Sequence, residues 1–287
     1  MKQLFTCLLC LPLLGLVSSC NKGPTNGIPF YLAMNWGHVN SSGANMSVGD
    51  TTSFISDVWV QTSTANLGAY QLYCNFPVLQ EGKVYFIVNA GIWESGQQEV
   101  RLPYPFYAPD TFTIDATPGQ KYFHHPVFSY LPAAIITCQE DFENGTVYDS
   151  MRLVFSPDTN VRYGTRCGAI TLTATDSDIV STVLNPSVTA GTAFTVSLGQ
   201  EAWLELDYKS QVPFWIGVVG VFSAGETTSS EILFTLPTST WTKLYVKMTN
   251  VISGTGAAYY YPYFEAMDTV GGSGGSVYLD NIKVVHF

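Results

Sequence analysis

An all-β fold is predicted for this chain of 287 residues by three features of its sequence. Only 12% of the residues are charged, and the chain contains 17 tyrosines and 17 phenylalanines. Aromatic and β-branched residues favour strands. Short apolar or alternating runs, such as DVWVQT and KVYFIVNAGIW, recur between turn residues, whereas helical periodicity is hard to find after residue 20. Many short strands at this spacing are typical of β-sandwiches and jelly rolls.

Residues 1–19 are predicted to form an export signal. Lys2 precedes an apolar stretch from Leu4 to Val17, which is shorter than the roughly 20 residues that span a bilayer. The segment from Leu16 to Cys20 resembles the bacterial lipobox, in which the signal is cut before the cysteine and the thiol carries a diacylglycerol. We therefore expect lipidation of Cys20. The alternative is an ordinary secretory signal that ends near a cysteine.

Residues 20–27 are interpreted as the lipidated cysteine and a flexible tether, because NKGPTNG is polar and rich in glycine and proline. Each buried methylene of an acyl chain contributes about 0.8 kcal/mol, so two or more chains hold a protein on a membrane. The expected location is the outer membrane, on the cell surface. No nucleic-acid partner is expected, because the formal net charge is -10 and the basic residues are scattered.

Two domains are predicted after the tether. An Ig-like β-sandwich is placed at 28–130, a short linker at 131–138, and a larger jelly-roll sandwich at 139–287. Pro126 and Pro132 resist regular strand pairing at the junction, and an acidic segment begins at Glu140. Because the junction is short and apolar, we expect the two domains to pack together. Cys138 and Cys167 near it are either a disulfide or buried free thiols, and the sequence leaves both open.

The second domain carries a resemblance to a known family. EDFENG, WLELDYKSQVPFWIGV, WTKLYVKMT and VYLDNIKVVHF resemble, in this order, the strands of jelly-roll domains of the carbohydrate-binding-module type. With the leading block DVWVQTSTANLGAYQLYCNFPVLQEGKVYFIVNAGIW and RLPYPFY, the chain resembles surface lipoproteins of Bacteroidota. The resemblance covers most of the mature chain and implies fold and location more than function, because function depends on sites.

This resemblance also implies a structural calcium ion. In carbohydrate-binding modules of this shape, an acid near the first strand and an acid on the last strand often converge on calcium, which here implies Glu143 with Asp280, helped by Glu140 or Asp141. Calcium takes six to eight oxygen ligands. The alternative is that Asp280 sits at a strand end and contacts only backbone.

The run AAYYYPYFEAMD predicts a strand with two different faces, since alternate residues share a face. Phe264 and Ala266 are expected in the core. The other face offers tyrosine rings for pyranose stacking and a carboxylate for sugar hydroxyls, so it is a candidate ligand site; its residues are Tyr259, Tyr261, Tyr263 and Glu265, joined by Trp215 from a nearby turn. The alternative is that these tyrosines only cover a half-exposed sheet.

Trp203 is expected to pack in the core of the second domain, and Trp36, Trp59 and Trp93 in the core of the first. Two apparent catalytic patterns are discounted. GGSGG at 271–275 joins two strands and is not the strand-to-helix elbow of a nucleophile, and no third metal ligand stands at a recognisable spacing from the histidine pair at 124–125. We therefore expect no enzymatic activity. The predicted function is carbohydrate binding by an outer-membrane lipoprotein; the alternative is an assembly lipoprotein that contacts an outer-membrane transporter, fibre or secretion complex.

Overall fold

The computed structural model describes residues 27–40, 52–156, 160–183, 191–269 and 271–287. Cys20 and the predicted signal lie outside these residues. Within them the chain consists of β-strands and one short helix, which confirms the all-β prediction. In chain order the elements are β1 (Phe30–Met34), β2 (His38–Val39), β3 (Asp57–Thr62), β4 (Asn66–Gln71), β5 (Cys74–Val78), β6 (Gly82–Trp93), β7 (Arg101–Pro103), β8 (Tyr107–Ala108), β9 (Asp110–Ala116), β10 (Lys121–His124), β11 (Val127–Tyr130), β12 (Ile135–Glu140), β13 (Arg152–Phe155), β14 (Arg166–Leu172), β15 (Asp178–Thr182), β16 (Ala202–Ser210), β17 (Phe214–Val221), β18 (Thr227–Thr235), β19 (Thr238–Lys247), α1 (Thr249–Thr255), β20 (Tyr259–Met267) and β21 (Gly275–His286).

The first half of the chain forms three small sheets. Their strand orders are β10–β1–β5, β2–β11–β8 and β4–β3–β6–β7, and β9 also pairs with β6. The alternation predicted for KVYFIVNAGIW is present in β6, where Val84, Phe86, Val88 and Ala90 are buried and the residues between them are more exposed. The buried side chains of this half join one hydrophobic cluster. The Ig-like assignment of this half stays a prediction.

The second half is a sandwich of two antiparallel sheets. The six-stranded sheet has the order β13–β14–β21–β16–β19, with β12 also pairing with β21, and the four-stranded sheet has the order β15–β20–β17–β18. Leu204, Leu206 and Leu279 from the first sheet meet Ile216 and Phe264 from the second in one buried cluster. The outer face of the four-stranded sheet points away from this core.

The second sandwich begins earlier in the chain than predicted. Strand β12 starts at Ile135, which lies opposite His286 of β21. Residues 135–138, predicted as part of a linker at 131–138, therefore belong to the six-stranded sheet. The reason is non-local, because this segment pairs with the edge of the C-terminal strand β21. No pattern within the segment itself indicates this pairing.

The short helix α1 was not predicted. It spans seven residues and ends at Gly256, whose φ of 65° is left-handed and whose N–H donates to the carbonyl of Ile252 at 3.3 Å. A glycine suits such a helix end because it lacks a Cβ. Two turns are too short for periodicity to stand out. Among the described residues, no helix has the length and apolar character needed to cross a membrane.

The two halves share a continuous buried interface. Trp203, Tyr245 and Val285 of the second half belong to the same hydrophobic cluster as the core of the first half. The N–H of Ser95 donates to the carbonyl of Tyr245 at 2.8 Å, and the N–H of Phe54 donates to the Tyr245 hydroxyl at 3.1 Å. The first half therefore covers the part of the outer face of the six-stranded sheet that holds Trp203, Tyr245 and Val285, whereas the four-stranded sheet is on the other side of the sandwich.

Candidate functional site

The outer face of the four-stranded sheet contains all five predicted ligand residues, and we call it the tyrosine face. On β20, Tyr260, Phe264 and Ala266 point into the core and are at most 2% exposed. The core position of Phe264 and Ala266 was predicted from the alternation. Alternate residues of a strand share a face, so the tyrosine face receives Tyr259, Tyr261, Tyr263 and Glu265 from β20 and Trp215 from β17.

Strand pairing sets these side chains in rows across the sheet. Glu265 on β20 lies opposite Trp215 on β17, which lies opposite Phe234 on β18. The rings of Trp215 and Phe234 contact each other, with centroids 4.9 Å apart and an interplanar angle of 51°. Phe234 is 38% exposed, and Trp215 is half-buried. The sequence analysis missed Phe234, because its place beside Trp215 depends on the pairing of β17 with β18.

Tyr263 differs from its expected role as an open stacking surface. It is only 5% exposed, because its ring lies across Gly217 on the neighbouring strand, where an added Cβ would collide with the ring atoms. Burial raises the pKa of Tyr263 to about 12, and the charges of Glu231 and Glu265 add to this effect. Tyr263 thus forms the floor of the face. Tyr263 therefore follows the alternative interpretation of the sequence, in which these tyrosines only cover the sheet.

The upper surface of the face combines aromatic rings with carboxylates. Tyr259 and Tyr261 are half-buried and lie on one side of Tyr263 along the sheet. The contacting rings of Trp215 and Phe234 lie on its other side. Burial raises the pKa of Glu265, and the neighbouring Asp178 and Glu231 raise it further. Aromatic faces bind apolar ring surfaces, and tyrosine hydroxyls and carboxylates supply hydrogen bonds at their edges. This combination suits a ligand that is apolar on one side and rich in hydroxyls around it.

The four acids predicted for calcium accept hydrogen bonds from backbone N–H groups. The buried carboxylate of Glu140 accepts hydrogen bonds from the N–H groups of Phe142 and Val147, both at 2.8 Å. Burial raises the pKa of this carboxyl group. Asp141 accepts a hydrogen bond from the N–H of Glu143 at 3.1 Å. Both side chains thereby stabilise the turn that follows β12.

Glu143 and Asp280 instead accept from backbone N–H groups of residues 163–166, which are distant from both in sequence. Glu143 accepts from the N–H groups of Thr165 at 2.7 Å and Arg166 at 2.9 Å; burial raises its pKa, but these hydrogen bonds outweigh it and the pKa is lowered. Asp280 accepts from the N–H of Tyr163 at 3.2 Å. Among the described residues, no three His, Cys, Asp or Glu side chains are grouped to hold a metal. Calcium binding by Glu140, Asp141, Glu143 and Asp280 stays a prediction.

A buried ion cluster links the two halves, and the sequence analysis missed it. Glu205 of β16 accepts hydrogen bonds at one oxygen from the hydroxyls of Tyr104 at 2.7 Å and Tyr130 at 2.8 Å, both from the first half. Its other oxygen lies 3.6 Å from the ammonium groups of Lys243 and Lys283. Glu205 alternates with leucines in WLELDYK, a pattern that normally indicates a solvent-facing side, which here is covered by the first half.

The tryptophan and cysteine predictions have mixed outcomes. Trp203 is fully buried, as expected, whereas Trp36, expected in a core, is 52% exposed. Trp36 lies against the imidazole ring of His38, with centroids 5.2 Å apart. Cys138 and Cys167 are free thiols, which decides between the two alternatives left open. Burial raises the pKa of the Cys138 thiol to about 12.

Comparisons with known proteins concern the fold. No family model matches the sequence, and no curated protein matches it. Similar solved structures include a family 30 carbohydrate-binding module of a cellulosomal cellulase from Clostridium thermocellum, at 15% identity and a TM-score of 0.36, covering 52% of this chain and 92% of that one. Another is from a study of promiscuous specificity in carbohydrate-binding modules of the β-sandwich superfamily, at 12% identity and a TM-score of 0.35, covering 80% and 85%.

A third similar structure is the enzymatically active domain of tailspike protein 4 from bacteriophage CBA120, at 10% identity and a TM-score of 0.36. The match covers 54% of this chain but only 19% of the tailspike chain. Several of the structural neighbours are thus β-sandwich carbohydrate-binding modules. TM-scores this low carry no argument about function, so the case for the tyrosine face rests on its own geometry.

Proposed function

We propose that the second sandwich binds carbohydrate on the tyrosine face and does so without catalysis. The observation that carries this proposal is the contact between Trp215 and Phe234, next to Glu265 and Glu231, on the face of the sheet that points away from the six-stranded sheet. Aromatic surface beside hydrogen-bonding groups is the usual composition of a small-molecule site.

The two sides of a sugar ring match these groups. The C–H side of a pyranose is apolar and stacks on the Trp215 and Phe234 rings or on Tyr261. The hydroxyls at its edge donate hydrogen bonds to the Glu265 carboxylate, which in its ionised form acts only as an acceptor. Tyr263 packs against Gly217 and so forms the floor between Tyr261 and the Trp215–Phe234 pair, across which the chain of sugars would lie.

We also propose that this module is held on the outer membrane by lipid on Cys20. The support is the lipobox-like sequence and the polar tether before Ile28. Growth with an alkyne-labelled fatty acid should label the protein, and Cys20→Ala should abolish the label. Labelling that survives the substitution would refute lipidation at this residue.

Glycan binding is tested on the mature chain from Asn21 onward, produced without Cys20. A panel of neutral and charged polysaccharides is used in affinity electrophoresis, where a bound polysaccharide slows the protein. Trp215→Ala should lose at least tenfold in affinity, because one stacking residue of a small site is removed. Trp36→Ala is the matched control, since it removes an exposed tryptophan from the first half. If no polysaccharide slows the protein, or if both variants lose binding equally, the proposed site is wrong.

The alternative function, contact with an outer-membrane protein, is favoured by large apolar side chains exposed on the first half. Tyr73 is 74% exposed, Phe123 is 68% exposed and Trp36 is 52% exposed. Cross-linking on intact membranes should then yield a specific adduct that Phe123→Ser weakens. Recovery of the protein alone after cross-linking would remove this alternative.

A further inference from the structure

The charge of the tyrosine face bears on which glycans it accepts, and this inference rests on the proposed function. The four strands of the sheet contain Asp178, Glu231 and Glu265 but no lysine, arginine or histidine. Every basic residue from Arg152 onward lies in the six-stranded sheet or in the segment before β14. The sandwich therefore separates its charges, with the cations on one sheet and uncompensated acids on the other.

The three acids come from three strands and face the same side. Glu265 pairs across β20 and β17 with Trp215, Glu231 lies opposite Gly217, and Asp178 lies opposite Met267, two residues beyond Glu265. The charges of Asp178 and Glu231 both raise the pKa of Glu265, so the groups interact. None of the salt bridges found among the described residues involves these acids.

We propose that the tyrosine face selects glycans by charge, accepting neutral or amine-bearing chains and rejecting chains that carry uronate or sulfate. A bound anionic sugar would bring its charge next to Glu231 and Glu265 with no cation on the sheet to offset the repulsion. Placing like charges against each other is a common way to exclude a competing ligand. An amine on the sugar would meet the same carboxylates as partners.

The test uses three derivatives of one polysaccharide that the panel shows to bind. Its hydroxyethyl, carboxymethyl and diethylaminoethyl forms share a backbone and differ in charge. At low salt we expect the carboxymethyl form to bind about tenfold more weakly than the hydroxyethyl form, and the diethylaminoethyl form about fivefold more tightly. Both differences should shrink in 1 M salt, where the screening length is about 3 Å.

Matched variants separate the face from the net charge of the protein. The double variant Glu231→Gln, Glu265→Gln should reduce the carboxymethyl penalty to about threefold or less. The control Glu81→Gln, Asp115→Asn makes the same change in net charge at exposed positions of the first half and should leave the penalty unchanged. The ratio between derivatives is compared within each variant, so a general loss of affinity does not obscure the result.

The outcomes distinguish the two proposals. If the neutral polysaccharide binds through Trp215 but the carboxymethyl form binds equally well, the charge selection is wrong and the proposed function stands. If the control double variant relieves the penalty as much as the site variant, net charge explains the effect and the selection is also wrong. If only anionic polysaccharides bind through Trp215, the charge selection alone is wrong. If no polysaccharide of the panel binds, both proposals fail.

Discussion

Replacing Glu205 with glutamine should destabilise the protein more than any surface change of the same size. Glu205 is fully buried, and the hydroxyls of Tyr104 and Tyr130 donate to one of its oxygens. Its other oxygen faces the ammonium groups of Lys243 and Lys283 at 3.6 Å. Glutamine preserves the shape and one acceptor, but it removes the negative charge that lies 3.6 Å from both ammonium groups, and among the described residues it leaves Lys243 only Asp207, at 3.9 Å, as an ion-pair partner.

The magnitude follows from this burial. Removing one partner of a buried ion pair costs about 3–5 kcal/mol, because the remaining charge stays buried without compensation. For a chain of this size, each kcal/mol lowers the melting temperature by about 2–4 °C, so Glu205→Gln should lower it by roughly 6–20 °C. Urea denaturation followed by tryptophan fluorescence measures the free energy, and calorimetry measures the melting temperature.

A second substitution makes the test specific to the ion cluster. Lys283→Met in the Glu205→Gln background removes one of the two buried cations that had paired with Glu205, so the double variant should be more stable than the single one. The exposed Asp115→Asn is the control and should change the free energy by less than about 0.5 kcal/mol. A cost below about 1 kcal/mol for Glu205→Gln, or no recovery in the double variant, would refute the charge argument.

Three further predictions concern other parts of the fold. Burial raises the pKa of Asp280 to about 8 from about 3.9 in an unfolded chain, so the folded state keeps a proton that the unfolded state loses, and the free energy of unfolding should fall as the pH rises from about 4 to about 8. Urea denaturation across this range should show a smaller fall in Asp280→Asn than in the wild type, and an equal fall in both would contradict the raised pKa. Gly168→Ala should cost about 1–3 kcal/mol in the same assay, because the added Cβ collides with the Phe142 ring; wild-type stability would show that the ring moves freely. Cys138 and Cys167 are buried and should react with a thiol reagent only after unfolding, so rapid modification of either in the native protein would disprove their burial.

Part of the site was predictable because it depends on one strand. The alternation of β20 follows from a period of two residues, so Phe264 and Ala266 in the core and Tyr259, Tyr261 and Glu265 outside it were predicted from AAYYYPYFEAMD alone. Neighbours across the sheet were not, because pairing joins residues far apart in sequence. Phe234 beside Trp215 and Gly217 beneath Tyr263 both follow from the position of β17 between β18 and β20.

The same distinction applies to the whole chain. Its composition and its short alternating runs determined the all-β class, since strand formation and amphipathic alternation are local properties. Tertiary structure decided that Ile135–Glu140 pairs with the last strand and that Glu205 is buried against Tyr104 and Tyr130. The alternation of leucines and acids in β16 does not depend on whether water or the first half of the chain covers its acidic side. Which of the two does so depends on long-range packing, and this packing left the four-stranded sheet, with its aromatic rings and acids, as the free face.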